Sequence, residues 1–213
     1  MKIFDGLHAF IWQSYGENNC NAYFIDEEKK ILIDPGHKHL LGHVERGLQA
    51  ADLSWNGIDV VLITHSHPDH MESVTQLSDK TIWGMNQEEF EFMGKMVGQY
   101  FQMPVPDFFL GTGDLILGKT RLEVLVTPGH SPGSICLYWP ERKALFTGDL
   151  VFQQGIGRTD LPGGNGSQLK DSIRKIAALD VEYLLPGHGG LVVGTEAVRE
   201  NFHIVERQWF DYI

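Results

Sequence analysis

Two kinds of hydrophobic pattern alternate along the chain. Short apolar runs rich in β-branched and aromatic residues predict buried strands, over residues 8–13, 20–26, 30–34, 58–63, 81–83, 121–126, 134–139, 144–147 and 181–185. Apolar residues at helical spacing predict helices over residues 38–50, 68–78, 86–100, 167–179 and 195–212. Two β-rich halves, each followed by helices, indicate an α/β protein with two packed sheets and helices outside. The 213 residues are enough for a substantial core, and we expect one domain over 1–213.

A cluster of potential metal ligands follows the predicted strand at 58–63. The segment reads Thr64-His65-Ser66-His67-Pro68-Asp69-His70. Because alternate residues of an extended segment point the same way, His65 and His67 share one direction. Pro68 suits the first position of a helix, which places Asp69 and His70 in the first turn, pointing elsewhere. The segment therefore offers ligands in two directions, as two neighbouring metal ions would require.

Three later strand ends carry side chains of the same type. His130, Asp149 and His188 each follow an apolar run and each lie beside a glycine, which lets the backbone turn tightly in a crowded site. Together with the first segment they make seven potential ligands. A lone histidine at a strand end is more often structural. Four separate loops that each place a ligand after a buried strand instead predict one shared metal centre.

This set of residues resembles the metallo-β-lactamase superfamily over about residues 18–190. The resemblance rests on His-x-His-x-Asp-His at 65–70, on the three later ligands, and on matching lead-in segments at 34–36, 127–133 and 146–149. It implies a four-layer αβ/βα sandwich of two mixed β-sheets, with the site at one edge. The ligands it implies are His65, His67 and His130 for the first ion, and Asp69, His70 and His188 for the second, with Asp149 bridging both. It also implies that Asp69 orients or ligates the nucleophilic water and that Asp149 is catalytic.

Within the superfamily the chain is similar to short members of the glyoxalase II-like, or hydroxyacylglutathione hydrolase-like, branch. The loop at 155–164 resembles one found in short bacterial and archaeal members and in persulfide dioxygenases. Only one helix is predicted after His188, so the resemblance does not extend to the longer helical region with which full-length glyoxalase II holds glutathione. Phe152 stands where the lactonase branch carries a tyrosine, which argues against a lactonase.

Two functions follow from this resemblance. The first is a binuclear metal-dependent hydrolase that cleaves a thioester, such as a hydroxyacyl-glutathione, with a metal-bridging hydroxide. Imidazole and carboxylate ligands suit two divalent ions, with zinc as the first choice and iron or manganese as alternatives. Two ions about 3.5–4 Å apart lower the pKa of a shared water to about 7. The alternative is a mononuclear iron persulfide dioxygenase, whose iron would be held by His65, His130 and Asp149.

Two further residues have open roles near the predicted centre. Ligand histidines usually donate their second ring N–H to an oxygen acceptor, and by resemblance Asp34 is such a partner, although it could equally cap the turn that follows it. Arg158 could bind a substrate carboxylate through its planar guanidinium fork. It could equally form an ion pair with Asp160.

Several other segments allow more than one interpretation. We expect Met93 and Val97 to pack in the core. Residues 100–109, rich in Met, Phe and Pro, form either a core insert or an adaptable apolar wall beside the site. The histidines at 37, 39 and 43 are expected to lie on a solvated helix face rather than to form a further metal site. The apolar stripe of the last predicted helix could pair subunits in a homodimer, and core packing explains it equally well.

Composition and charge limit the kinds of molecule that the protein is expected to bind. The net charge is −11 and no Lys/Arg run exceeds two residues, so we expect a small-molecule substrate and no nucleic acid. No apolar run reaches the length of a membrane span, and no signal peptide is evident. We therefore expect a cytoplasmic protein without a membrane partner. Cys20 and Cys136 lie inside apolar runs and are expected to be reduced, buried thiols.

Overall fold

A seven-stranded sheet forms the N-terminal half of the computed structural model, which describes residues 1–14, 16–97 and 104–213 of the protein. Its strands are β1 (Lys2–Phe4), β2 (Leu7–Phe10), β3 (Ala22–Asp26), β4 (Lys30–Ile33), β5 (Val60–Leu62), β6 (Ile82–Asn86) and β7 (Phe108–Leu110). They lie in chain order. The first four pair antiparallel, and β4 to β7 pair parallel. The sheet is therefore mixed, as predicted.

A second mixed sheet of six strands forms the C-terminal half. Its strands are β8 (Gly113–Leu117), β9 (Thr120–Val126), β10 (Ile135–Trp139), β11 (Ala144–Gly148), β14 (Tyr183–Pro186) and β15 (Val192–Val193), and a separate hairpin is made of β12 (Val151–Phe152) and β13 (Gly155–Ile156). The spatial order is β15-β14-β11-β10-β9-β8. Only β11 and β14 pair parallel, so their carboxyl ends meet at one edge of the sheet.

Helices cover the outer face of each sheet. The α-helices are α1 (Gly42–Gln49), α2 (Pro68–Met71), α3 (Gln87–Val97), α4 (Gly166–Ala177) and α5 (Thr195–Trp209), and short 3-10 helices span Lys38–Leu40, Trp55–Gly57, Glu72–Gln76, Pro140–Arg142 and Phe210–Tyr212. The first three α-helices contribute buried residues to a core on the first sheet, and α4 and α5 do so on the second. None of the helices described is long and apolar enough to cross a bilayer.

Alternate residues of the central strands lie on opposite faces of the sheet, one facing the core between the sheets and the other the core under the helices. This explains why these strands are apolar without interruption. In β4, Ile31 and Ile33 join the core between the sheets, whereas Leu32 faces the helices. In β10, Leu137 faces the other sheet and Cys136 faces α4 and α5. A strand covered on both faces is apolar throughout rather than alternating. The four-layer αβ/βα architecture predicted from the sequence is confirmed.

Several element boundaries differ from the predictions. The helix expected over 68–78 is one α-helical turn, α2, followed by a 3-10 segment. Here a hydrogen bond to a residue outside the segment and a side-chain hydrogen bond within it replace the backbone hydrogen bonds of an α-helix. The Ser73 N–H donates to the carbonyl of Gly36, and the Thr75 hydroxyl donates to the carbonyl of Glu72. The helix expected over 38–50 begins only at Gly42.

Strands β1, β7, β8 and β15 and the β12–β13 hairpin were absent from the sequence prediction. They are short or lie at sheet edges, where one face is solvated and the apolar pattern is weak. The helix predicted over 86–100 is described to Val97. Residues 98–103 lie outside the described residues, and so do the first four positions of the predicted core insert or apolar wall at 100–109. Met93 packs in the core of the first sheet.

The apolar stripe of α5 is largely used within the chain. Val198, Phe202 and Val205 are buried against the second sheet and α4. Trp209, which is 39% exposed, donates its indole N–H to the carbonyl of Gln154. Core packing therefore accounts for most of the stripe that also suggested a dimer.

Candidate metal centre

The seven predicted ligands come from loops that follow four strands and meet at one edge of the sandwich. The segment after β5, which runs into α2, carries four of them, and the loops after β9, β11 and β14 carry one each. Hydrogen bonds join the two sheets here. The Ile135 N–H donates to the carbonyl of Thr64, and the Tyr23 hydroxyl donates to that of Pro186 at 2.6 Å. This junction brings the two sets of loops face to face.

Three imidazoles form the first group. The Nδ1 of His67 lies 3.0 Å from the Nε2 of His65 and 2.9 Å from the Nε2 of His130. His65 and His130 are buried, and His67 is partly exposed. Three ring nitrogens thus converge within 4.8 Å of one another, a spacing at which they could hold one ion.

The second group consists of Asp69, His70 and His188, whose ligand atoms also lie within 4.8 Å of one another. The Nε2 of His188 lies 3.3 Å from the Nε2 of His70 and 3.3 Å from Oδ2 of Asp69. The amide of Asn18 donates to the same Asp69 oxygen at 2.6 Å. Asn18, which the sequence did not indicate, therefore fixes this carboxylate.

Asp149 lies between the two groups. Its Oδ1 is 3.2 Å from the Nε2 of His70, and its Oδ2 is 3.4 Å from that of His188 and 3.7 Å from that of His130. The neighbouring Gly187 is needed here, because a Cβ at this position would collide with the Asp149 carboxylate and the His70 ring. Asp149 thus lies within reach of histidines from both groups and could help to hold an ion in either.

A buried hydrogen-bond network orients two of these histidines. Asp34 accepts from the Nδ1 of His70 at 2.9 Å, from the Thr64 hydroxyl at 2.7 Å and from the Thr64 N–H at 2.8 Å. The Thr64 oxygen in turn lies 3.1 Å from the Nδ1 of His65. With the protons on both Nδ1 atoms, both Nε2 lone pairs face the centre. The structure therefore places Asp34 where a partner of a ligand histidine was expected, and sequence alone did not indicate Thr64.

Arg158 contacts the centre through its backbone. Its carbonyl accepts from the Nδ1 of His130 at 2.8 Å, which leaves the Nε2 of that ring facing the other ligands. Its guanidinium makes two hydrogen bonds to Asp160, at 2.9 and 2.8 Å. The ion pair is the arrangement seen, and the fork is not directed at the ligand groups in this conformation.

Glu89 of α3 links the two halves of the first group, and the sequence prediction missed it. The side chain is fully buried. One carboxylate oxygen accepts from the N–H and hydroxyl of Ser66, and the other accepts from the Ser131 hydroxyl and the Gly133 N–H, at 2.6–2.9 Å. It therefore holds the loop carrying His65 and His67 against the loop carrying His130. Its signal in the sequence is weak: an acid on a helix with apolar Phe92 and Met93 one turn further on.

The electrostatics differ between the two groups. Burial lowers the pKa of His65 and His67, and neighbouring imidazoles lower it further. These rings are therefore neutral, which is the form that binds metals. Burial also opposes charge on His188, but hydrogen bonds to Asp149 and Asp69 outweigh it and raise its pKa to about 9. Around Asp149 the protein thus favours positive charge.

The residues fit a pair of metal ions. Burial favours the neutral form of Asp149, yet the adjacent His70 and His188 hold its pKa well below the usual range. The Oδ1 of this ionised group is buried without a hydrogen-bond partner, which is costly unless another group neutralises it. Imidazole nitrogens and carboxylate oxygens are ligands of zinc, iron and manganese. A cation between these groups would satisfy the lone pairs that the protein leaves facing one another.

The nearby histidines outside the seven are used differently. His37 lies 2.9 Å from Glu72, and with His39 these residues form a further group of close ligand atoms. His39 is largely exposed. His43 lies apart from them, with its Nε2 2.8 Å from the carbonyl of Phe10 and its ring against Trp12.

The fold, with its metal-ligand groups at the sheet edge, is that of a metallohydrolase. The chain matches the family model of the metallo-beta-lactamase superfamily over residues 15–188. It belongs to that superfamily, and the family and fold indicated by the sequence motifs are confirmed.

Individual relatives agree with this assignment. Hydroxyacylglutathione hydrolase GloC of Haemophilus influenzae is 35% identical over 200 residues, which cover 87% of this chain and 92% of that protein. The probable metallo-hydrolase YqgX of Bacillus subtilis is 35% identical over 193 residues, covering 82% and 87%. Among solved structures, that of TTHA1623 in a di-iron-bound form has a TM-score of 0.68 and 29% identity, covering 89% of this chain and 92% of that one.

Proposed function

We propose that this protein is a thioester hydrolase that uses two divalent metal ions, with zinc as the first choice. The observation that carries the proposal is the arrangement of six ligands in two groups of three around Asp149. Similarity to a hydroxyacylglutathione hydrolase supports a thioester as the substrate. The TTHA1623 structure, which is described as di-iron-bound, supports a site for two ions and keeps iron as an alternative.

The proposed ligands are the seven side chains described above. His65, His67 and His130 would hold one ion, Asp69, His70 and His188 the other, and Asp149 would contact both. Two ions held there would supply a hydroxide nucleophile near neutral pH and would polarise the substrate carbonyl.

The protein's own groups orient the reactants. His188 and other neighbours outweigh the effect of burial and hold the pKa of Asp69 below its usual range. Asp69 is therefore ionised and able to accept a hydrogen bond from the attacking water. Because a thiol has a pKa near 8.5, the sulfur of a thioester leaves as a thiolate without a general acid. The site therefore does not need a proton donor beside the leaving group.

Elemental analysis of protein purified without added metal tests the ion count, and release of free thiol from S-lactoylglutathione tests the reaction. We expect about two ions per chain, thioester cleavage, and loss of cleavage with a chelator that added zinc reverses. A protein with two bound ions that cleaves none of a panel of thioesters would refute the proposal. One iron per chain, with oxygen uptake in the presence of a persulfide, would favour the dioxygenase alternative.

A further inference from the structure

An apolar pocket lies directly beside the first ligand group. Its volume is about 290 Å³, close to the lower end of small-molecule sites. His67 and Ser66 form part of its wall, together with Glu72. The remaining lining is apolar and consists of Pro68, Met71, Phe92, Met93, Met96 and Pro162. A group bound here would therefore lie next to a proposed ligand of the reacting centre.

A second, more polar cleft borders the second ligand group. Its volume is about 670 Å³, and its lining includes Trp12, Glu17, Asn18, Asn21 and His188. His67 of the first group borders the first pocket and His188 of the second group borders this cleft, so the two clefts adjoin different ligand groups. A thioester with its carbonyl at the centre would place its acyl group on one side and its thiol carrier on the other. The apolar pocket suits an aliphatic acyl group, and the polar cleft suits a carrier containing amides.

Helix α3 supplies the part of the pocket that can adapt. Met93 is buried, whereas Met96 is 53% exposed and lies at the solvent side. The ring of Phe92 packs against Gly163 on the facing loop. Unbranched, flexible methionine side chains adjust to ligands of different shape. The helix is also fixed to the ligand loops through Glu89, so its apolar face is held close to the centre.

We propose that this pocket binds the acyl chain of the substrate, and that the substrate class is thioesters of medium-length aliphatic acids. This inference rests on the proposed thioester hydrolase function. An acetyl or lactoyl group is too short to fill the pocket and would leave water against its apolar wall. Each methylene added beyond acetyl moves apolar surface from water into the pocket and should raise kcat/KM about fourfold.

The kinetic test uses the zinc-loaded protein and acetyl, butyryl and hexanoyl thioesters of the same small thiol, N-acetylcysteamine. We expect kcat/KM to rise by roughly two-hundredfold from acetyl to hexanoyl, which adds four methylenes. The M96E variant places a charge at the solvent side of the pocket and should lower the hexanoyl-to-acetyl ratio at least tenfold. The matched control is I116E, because Ile116 is 68% exposed on the edge strand β8. It should leave the ratio unchanged.

A binding measurement tests the pocket without turnover. Methionine methyl groups labelled with ¹³C are observed by NMR during titration with hexanoate, with acetate as the control that carries the same carboxylate. Hexanoate should shift the methyl signals of Met93 and Met96, and M96E assigns the second signal by removing it. Acetate should not shift them.

The two proposals fail in distinguishable ways. If thioesters are cleaved at rates independent of acyl length, and hexanoate leaves the methionine signals unmoved, the acyl pocket is refuted while the hydrolase stands. If no thioester is cleaved, the hydrolase proposal fails. The hexanoate titration then still decides whether the pocket binds aliphatic chains.

Discussion

Replacing Asp34 by asparagine should weaken metal binding without altering the fold. Asp34 has a positive φ of 53°, a conformation that asparagine tolerates well. One carboxylate oxygen accepts from the Thr64 N–H, and the asparagine oxygen can take over this bond. The other oxygen accepts from the Nδ1 of His70 and from the Thr64 hydroxyl. The amide NH₂ of D34N at that place can only donate.

This exchange reverses the hydrogen bonds behind two ligands. His70 would have to accept at Nδ1, which moves its proton to Nε2 and removes the lone pair that faces Asp69 and His188. The Thr64 hydroxyl, now an acceptor from the amide, would donate to the Nδ1 of His65 and change that tautomer too. Loss of a partner that orients a ligand typically lowers metal affinity about 10–100-fold, which corresponds to about 1.4–2.8 kcal/mol.

Zinc titration against a competing chelator measures this loss, with the melting temperature of the metal-free protein as the check on folding. The matched control is D52N, since Asp52 has a similar φ of 57° and is exposed. We expect the control to bind zinc as the unmodified protein does. A folded D34N protein that binds both ions with unchanged affinity would show that Asp34 does not set the tautomer of its neighbours.

Glu89, His188 and the two cysteines supply three further tests. E89Q should destabilise the protein by about 2 kcal/mol, because the amide leaves a buried N–H unpaired, and the melting temperature should fall by about 4–8 °C. The control is E88Q, at an exposed position on the same helix, which should change the melting temperature little. Equal effects of the two substitutions would contradict the prediction. Because the pKa of His188 is about 9, binding of the second ion below that pH displaces a proton from this ring. The affinity for the second ion should therefore rise up to about tenfold per pH unit from pH 7 to 9 and level off above. Calorimetry in buffers of different ionisation enthalpy should show proton release on binding at pH 7.5, and absence of that release would count against the prediction. Burial raises the pKa of Cys136 to about 12 and that of Cys20 well above its ordinary value. Neither thiol should therefore react with a thiol reagent at pH 8 until denaturant is added. Prompt labelling of the native protein would be inconsistent with their packing.

The sequence was most informative where a strand ends in a polar residue. The runs before His65 and His188 end in buried apolar residues because both faces of those strands are covered, so a polar side chain shortly after them stands out. The strand before His130 is less uniform, because it carries the half-buried Arg121 and Glu123. The pattern of ligands therefore predicted which loops would meet. It could not give the distances between them, because these depend on how the two sheets pack.

The features that escaped prediction depend on contacts between distant residues. Glu89 resembles any polar residue on a helix until the loops carrying Ser66 and Gly133 are placed beside it. Thr64 and Asn18 acquire roles only through partners 30 and 51 residues away. Strand β8 has one exposed side, and its pairing with β9 decides its structure. Local propensity carries little information about such residues.

The division of the ligands between the two sheets has a consequence for how long the protein survives. Four ligands follow β5 in the first sheet, and the other three follow strands of the second. In the proposed arrangement each ion is bound by side chains from both, so the ions would act as cross-links between the halves of the molecule. A free metal concentration 1,000 times the dissociation constant would stabilise the folded state by about 4 kcal/mol per ion. Metal starvation would then remove catalysis and also hasten unfolding and proteolysis of the chain.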